Sequence, residues 1–288
     1  MIEFPDPLFR KAVEAIDSGD VAILQHLLEA HPYLAAQRSA TPADGYFAHP
    51  YLLWFVADNP IRQGKRTPGI VRIAQVIIDV LQEIQDEHYQ YIIDYTLGLV
   101  ATGRIPRECR VQIPLMELLV NRGAKVKGGV LGPIGQQNFE AAEWLLGKGS
   151  NYNLATAVGL DRALDIKNLA KTATPAELYV ALVVAAFFGK TAVISLLIEA
   201  GADANGSAGS EDFCGFHSHA SALHQAVYSG SFDAVKLLVE AGASLDVTDK
   251  VYHGSPLGWA THMQTEASAG EDQKNKSAAI AAYLRSIG

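Results

Sequence analysis

Three stretches of the chain align with one another without a gap, and this internal repetition constrains the fold more than any other feature. They are residues 137–151, 189–203 and 230–244. In each, apolar residues recur at positions i, i+1, i+3 and i+4, a spacing that places one apolar stripe on a short helix. Each stretch closes on a glycine, where a helix favours a left-handed residue after its last turn. These closing glycines are Gly149, Gly201 and Gly242.

A second short segment, rich in small residues, precedes these predicted helices. The clearest example is 222–230, and its counterparts are 181–189, 256–260 and 51–57. Alanine at contact positions lets neighbouring helices approach closely. Because a pair of short helices cannot bury its own apolar face, each pair must stack on the next. The sequence therefore predicts an all-α fold of stacked helix pairs.

The order of these anchor residues resembles the ankyrin repeat family. The family pattern is Thr-Pro-Leu-His-x-Ala-Ala, then a glycine, a Val-x-x-Leu-Leu helix and Gly-Ala-Asp-x-Asn. Residues 221–227 read Ser-Ala-Leu-His-Gln-Ala-Val, and residues 201–205 read Gly-Ala-Asp-Ala-Asn. Residues 255–260 match the pattern except for the histidine. The resemblance implies an all-α, ankyrin-type helical solenoid with short finger loops.

Most successive repeats are further apart than the family period of about 33 residues, which indicates insertions. A degenerate unit around residues 154–171 would bring the total to seven or eight repeats. Since no polar low-complexity linker interrupts the chain, we expect one solenoid over residues 1–288. Its expected parts are an N-terminal capping repeat (1–40), degenerate repeats with insertions (41–177), regular repeats (178–260) and a C-terminal capping helix (261–288).

The composition of the chain argues against two classes of partner, nucleic acids and membranes. The 23 basic and 31 acidic residues give a formal charge of −8, which argues against a general nucleic-acid binder. The longest apolar run, residues 178–188, is shorter than the roughly 20 residues that span a bilayer, and no signal peptide is evident. The two cysteines do not form a disulfide framework. We expect a monomeric, cytoplasmic protein with no membrane or nucleic-acid partner.

The sequence carries no recognisable catalytic signature. A nucleophile elbow, a phosphate-binding loop, a His-Glu-x-x-His zinc motif and a Cys-x-x-Cys pair are all missing from it. This favours a non-catalytic protein without cofactor or metal, but it does not exclude an enzyme.

Histidines concentrate towards the C-terminus, where five of the nine follow residue 216. Repeat alignment places His219 on His253, at the bases of neighbouring fingers, and His217 lies two residues from His219. Asp212 and Cys214 belong to the same long finger. These are ligand types that zinc takes, so a metal site is one interpretation. Hydrogen bonding between the fingers and contact with a ligand are the other two interpretations.

The resemblance assigns further positions. It implies that His224 hydrogen-bonds the backbone of a neighbouring loop. It also implies that the residues before the inter-helix glycine point into the concave groove, which here are Phe187 with Phe188, Tyr228 and, by alignment, Met263. An alternative for one of the two phenylalanines is packing in the interior.

The finger formed by residues 206–219 is glycine- and serine-rich at first and then aromatic, with Phe213 and Phe216. Its second half is too apolar to remain in water, so we expect it to fold back over the groove.

The predicted function is non-catalytic binding of another protein through the groove and fingers. The alternative is a small-molecule or metal-binding protein, or an enzyme, that uses His217, His219 and His253. The predicted partner-binding residues are Phe187, Phe188, Phe216, His217, His219, Tyr228, Tyr252, His253 and Met263.

Two predicted inter-helix loops are basic. One carries Arg62, Lys65 and Arg66, and the other carries Arg104, Arg107 and Arg110. Together they form either a patch for an anionic partner or a solvated edge that Asp58 and Glu108 partly neutralise.

Overall fold

The computed structural model of the protein describes residues 6–40, 45–126, 129–209, 215–266 and 270–288. The chain divides into two compact units, Met1–Asn151 and Tyr152–Gly288. Within the described ranges both units are helical, and the β-structure there is limited to two isolated bridges, Arg38 with Tyr51 and Gly129 with Asn151. The prediction of an all-α fold is confirmed.

The first unit stacks short helices in two layers. Its α-helices are α1 (Pro7–Ser18), α2 (Val21–Ala30), α3 (Tyr33–Ala36), α4 (Gly69–Glu83), α5 (Tyr89–Thr102), α6 (Arg104–Glu108), α7 (Gln112–Asn121), α8 (Leu131–Gly135) and α9 (Phe139–Gly147), and its 3-10 helices are Gly45–Phe47 and Leu52–Ala57. One layer contains α1, the 3-10 helix Leu52–Ala57, α5 and α8, which contact one another in succession. The other layer contains α2, α4, α7 and α9.

The second unit repeats this arrangement. Its helices are α10 (Leu154–Gly159), α11 (Ala163–Leu169), α12 (Pro175–Phe187), α13 (Thr191–Glu199), α14 (Ala222–Ser229), α15 (Phe232–Glu240), α16 (Pro256–Thr265) and α17 (Glu271–Ile287). One layer runs through α10, α12, α14 and α16, and α13, α15 and α17 form the other. The degenerate unit expected around residues 154–171 contains the packed pair α10 and α11. The total number of repeats and the single solenoid over the whole chain stay predictions.

Local signals at the helix ends explain these boundaries. Thr174 begins α12 with a capping box, in which its side chain and that of Glu177 each bond the other's backbone N–H. Ser221 begins α14 in the same way. Gly201 follows α13 with a φ of 97°, and Gly242 follows α15 with a φ of 86°. These left-handed conformations favour glycine, as the sequence repeats predicted.

The core of the second unit lies between the two helix layers. Residues 178–186 of α12 are all buried, so this helix is covered on most sides. In α13 and α15 a single stripe is buried, formed by Ile194, Leu197, Ala234, Val235 and Leu238. Leu237 was aligned with the stripe but is only half-buried, because it projects from the edge of α15 while the next residue, Leu238, is 0% exposed.

An asparagine side chain joins two successive fingers of the second unit. Asn205 donates from Nδ2 to the carbonyl of Gly242 at 2.8 Å. Its Oδ1 accepts from the backbone N–H of Ser244, also at 2.8 Å. Both halves of the amide are therefore used, and the two fingers are held by a pair of hydrogen bonds.

Two cations of the first basic loop, Arg62 and Arg66, belong to an internal ionic network, which is neither a patch for an anionic partner nor a solvated edge. The side chain of Arg66 is 1% exposed and lies 3.4 Å from both Asp17 and Asp58. Arg62 forms two 2.8 Å hydrogen bonds to Asp17. Burial lowers the pKa of Arg66, and the two aspartates oppose this effect. Buried, paired cations of this kind are not available to an anionic partner, and the loss of one of them would leave a buried charge uncompensated.

In the second basic loop, two of the three cations also have local partners. Arg107 donates to the carbonyls of Gln136 and Gln137. Arg104 lies 3.7 Å from Glu108 in an exposed pair. This part of the loop matches the solvated edge that was the second interpretation.

Candidate functional site

Aromatic rings meet where α12 and α14 end, in the second unit. Phe187 stacks on Tyr228 with ring centroids 5.4 Å apart and an interplanar angle of 22°. Phe216, from the long finger, packs edge-on against Phe187 at 5.0 Å. The ring of His217 follows, with its centroid 4.5 Å from that of Tyr228. This aromatic cluster continues through Trp259 of α16, whose ring centroid lies 5.3 Å from that of His217.

Burial varies across the aromatic cluster. Phe216 is 8% exposed, so this residue of the finger packs against Phe187 of α12, as predicted. Phe187 and Phe188 are both half-buried, and neither is enclosed by the interior. Tyr228 is 42% exposed. The cluster thus has a packed base and a face that is open to solvent.

A single buried carboxylate supports the neighbouring finger. Asp249 is 1% exposed and accepts from the Trp259 indole nitrogen at 3.0 Å. It also accepts from three backbone N–H groups of its own finger, those of Val251, Tyr252 and Gly254, at 2.6–2.9 Å. The fifth contact is to Nδ1 of His219 at 3.0 Å. Asp249 therefore holds together two fingers and the start of α16.

The hydrogen bonds keep this carboxylate ionised. Burial by itself raises the pKa of Asp249, because it disfavours the charged form. The hydrogen bonds, first that from the Tyr252 backbone and then that from the Trp259 indole, outweigh burial and hold the pKa well below the ordinary aspartate range. The charge is therefore present across the whole physiological range of pH.

A sequence comparison identifies the family of one part of the chain. Residues 135–249 match the family model for ankyrin repeats, described as three copies. This part of the chain consists of ankyrin repeats. A search of curated proteins found no significant match. Ankyrin repeats are generally protein–protein interaction modules.

The ankyrin-type histidine has the role that the resemblance implied. His224 is 0% exposed, and its Nε2 donates to the carbonyl of Gly254 at 2.9 Å. Its Nδ1 accepts from the backbone and hydroxyl of Ser221. Burial lowers the pKa of His224, so the ring remains neutral while it bonds the next finger. The prediction for this residue is confirmed.

His217 has a different environment from the ankyrin-type histidine. Its backbone carbonyl accepts from the buried side chain of Gln225 at 2.9 Å. Its imidazole makes aromatic contacts, and no hydrogen bond from this ring to another described residue is seen. Burial lowers the pKa of His217, and the neighbouring His219 lowers it further. The ring acts here as one more aromatic side chain.

The structure connects most of the predicted partner-binding residues. Tyr252 is 76% exposed, and its ring lies 5.7 Å from that of His219. His253 is exposed and has a left-handed φ of 54°, and no ring contact joins it to the cluster among the described residues. Met263 is half-buried on α16. The binding role of these residues stays a prediction.

The metal interpretation gains no support from the described residues, which contain no group of three or more histidine, cysteine or acidic side chains placed to hold a metal ion. Asp212, Phe213 and Cys214 lie outside the described residues. No helix in the described ranges is long and apolar enough to cross a membrane.

Sequence reasoning missed Asp249 and Trp259. Trp259 occupies the variable position of the ankyrin pattern, between Leu-Gly and Ala in residues 257–260. Gln225 occupies the same position in the preceding repeat. Both side chains contact His217. The residue at the variable position of the pattern could therefore have indicated Trp259 as a neighbour of this histidine. For Asp249 nothing in the sequence distinguishes a buried carboxylate from a solvated one.

Proposed function

We propose that the ankyrin repeats of the second unit bind another protein through the aromatic cluster and its adjoining fingers. The observation that carries this proposal is the fixed, partly exposed aromatic face. Tyr228 and Tyr252 expose large fractions of their rings, while Phe216 and Asp249 anchor the fingers from below. Tyrosine and tryptophan are enriched among the residues that dominate binding energy at protein interfaces.

Preorganisation supports the same proposal. A binding surface that is already ordered loses less conformational entropy when a partner docks. Stacking of Tyr228 on Phe187 and the hydrogen bonds of Asp249 restrict the rings before any partner arrives. The surface therefore meets a physical requirement for tight binding.

Two titratable groups of the site, Asp249 and His224, are not available as catalytic bases. A general base needs a lone pair within reach of a proton to abstract. Asp249 accepts five hydrogen bonds and is almost completely buried, and His224 uses both ring nitrogens internally. Neither group has the free lone pair that a general base requires.

We also propose that the protein works as a monomer in the cytoplasm. Reducing conditions there suit the free thiol of Cys109. Sedimentation at several protein concentrations tests the monomer, and microscopy of the tagged chain tests the location.

The proposed surface is tested with the double variant Tyr228→Ser/Tyr252→Ser. The matched control is Tyr33→Ser/Tyr91→Ser, because these two rings of the first unit are similarly exposed, at 51% and 49%. Partners captured from native lysate by the intact chain are quantified, and their affinities are then measured with purified proteins. Two truncated interface tyrosines weaken binding by about 10- to 100-fold or more.

The control variant is expected to bind as the intact chain does. Equal binding by the double variant and the intact chain would show that the partner uses another surface. Circular dichroism of both variants verifies that the helical content is unchanged.

A further inference from the structure

His219 is a partly exposed member of the hydrogen-bond network around the buried Asp249. Its side chain is 19% exposed, whereas that of Asp249 is 0% exposed. Its Nδ1 lies 3.0 Å from Oδ1 of Asp249. The imidazole is therefore held by a hydrogen bond at Nδ1 and remains partly exposed to solvent.

The partner on Nδ1 determines which nitrogen carries the proton. An ionised carboxylate can only accept hydrogen bonds. Asp249 already accepts from four other donors, which favours its ionised form. Nδ1 of His219 must therefore be the donor, and in the neutral ring Nε2 then carries a free lone pair.

The surroundings of His219 are aromatic. Its ring centroid lies 5.7 Å from Tyr252, 5.8 Å from Trp259 and 5.8 Å from His217. An aromatic side chain suits this environment, because it packs against rings edge-on or with an offset. An aromatic side chain with its own N–H or O–H donor can pack against these rings and also donate a hydrogen bond to the free lone pair of Nε2.

We propose that Nε2 of His219 accepts a hydrogen bond from an aromatic side chain of the partner that carries its own O–H or N–H donor. This inference rests on the proposed function of the second unit as a protein-binding surface. It assigns the anchoring group of the partner to the phenol or indole class.

The tautomer is tested without any partner, by long-range proton–nitrogen correlation spectra of the histidine rings in the full chain. His219 is expected in the Nδ1–H form when neutral. His224 provides an internal reference of the opposite kind, because its Nε2 donates to a carbonyl. An Nε2–H form for neutral His219 would overturn the proposal, whatever the partner turns out to be.

The anchor is tested with two small probes that differ by one hydroxyl, N-acetyl-tyrosinamide and N-acetyl-phenylalaninamide. Binding to the full chain is followed by chemical-shift changes at His219, Tyr252 and Trp259. One hydrogen bond predicts an affinity about 2- to 10-fold higher for the tyrosine probe near neutral pH.

The matched variant is His219→Asn, whose amide N–H can replace Nδ1 as the donor to Asp249 but which has no group at the position of Nε2. It is expected to retain the fold and lose the preference for the tyrosine probe. His262→Asn is the control, since His262 is an exposed histidine of α16 that pairs with Glu266. The preference of this control for the tyrosine probe should match that of the intact chain.

Equal affinities for the two probes in the intact chain, or a preference that survives in His219→Asn, would refute the hydrogen bond to Nε2. Failure of the tyrosine double variant to weaken partner binding would instead refute the proposed function. The two failures are distinguishable, because the probe and tautomer measurements require no natural partner.

Discussion

Removing the buried carboxylate by Asp249→Ala should destabilise the second unit. Five donors lose their acceptor, but they do not lose equally. The backbone N–H groups of Val251 and Tyr252 and the ring of His219 lie near the surface and can bond water instead. The Trp259 indole and the Gly254 N–H belong to half-buried residues, and each costs about 1–3 kcal/mol if it is left unsatisfied. We expect a total cost of about 2–6 kcal/mol.

The assay is urea unfolding of the full chain, followed by circular dichroism. Asp246→Ala is the matched control, because Asp246 is an exposed aspartate on the same finger. Surface changes of this kind usually alter stability by no more than about 0.5 kcal/mol. A cost below about 1 kcal/mol for Asp249→Ala would mean that water replaces the carboxylate at all five donors.

The pH dependence provides a second check on the same variant. Because folding lowers the pKa of Asp249, its contribution is fully present above the unfolded aspartate pKa of about 3.9. It is lost as pH falls below that value, through the folded pKa. The stability difference between the intact chain and Asp249→Ala should therefore be constant near neutral pH and shrink in acid. A difference that grows in acid would contradict the assignment of an ionised carboxylate.

Two further pairs of variants test the packing, each by its urea midpoint. Leu238→Ala should cost about 2–5 kcal/mol, because this side chain is completely buried, and Leu237→Ala should cost less; equal costs would contradict the observed stripe. Arg66→Ala should cost about 3–5 kcal/mol, because it leaves Asp58 buried without its cation. The adjacent Lys65→Ala changes an exposed residue and should be near neutral, so a similar loss in both would show that Arg66 is not part of an internal network.

The parts of the fold that the sequence predicted are those that recur at a fixed spacing. Helix-ending glycines such as Gly201, the stripe that contains Leu197 and the bond from His224 belong to the repeat itself. Each is determined by a few neighbouring residues, so a local pattern is enough to find it. The packing of Phe216 was also predicted, because an apolar finger must find cover.

The contacts that were missed join residues far apart in sequence through irregular loops. Asp249 meets His219 across 30 positions, and Arg66 meets Asp17 across 49. Neither distance follows from a period, because each depends on how a loop turns. A charged residue is also ordinarily solvated, so the sequence offers no local sign that these charges are buried and paired.

The two hydrogen bonds of Asn205 have a consequence for how the second unit opens. Because one amide clamps both Gly242 and Ser244, the two fingers cannot separate one bond at a time without leaving half of that amide unpaired. The N–H of Ser244 is on an exposed residue, so its accessibility alone would suggest rapid exchange with solvent. Its hydrogen exchange should instead be slow and should follow the cooperative opening of two adjacent repeats. An exposed amide thus becomes a reporter of the smallest group of repeats that unfolds together.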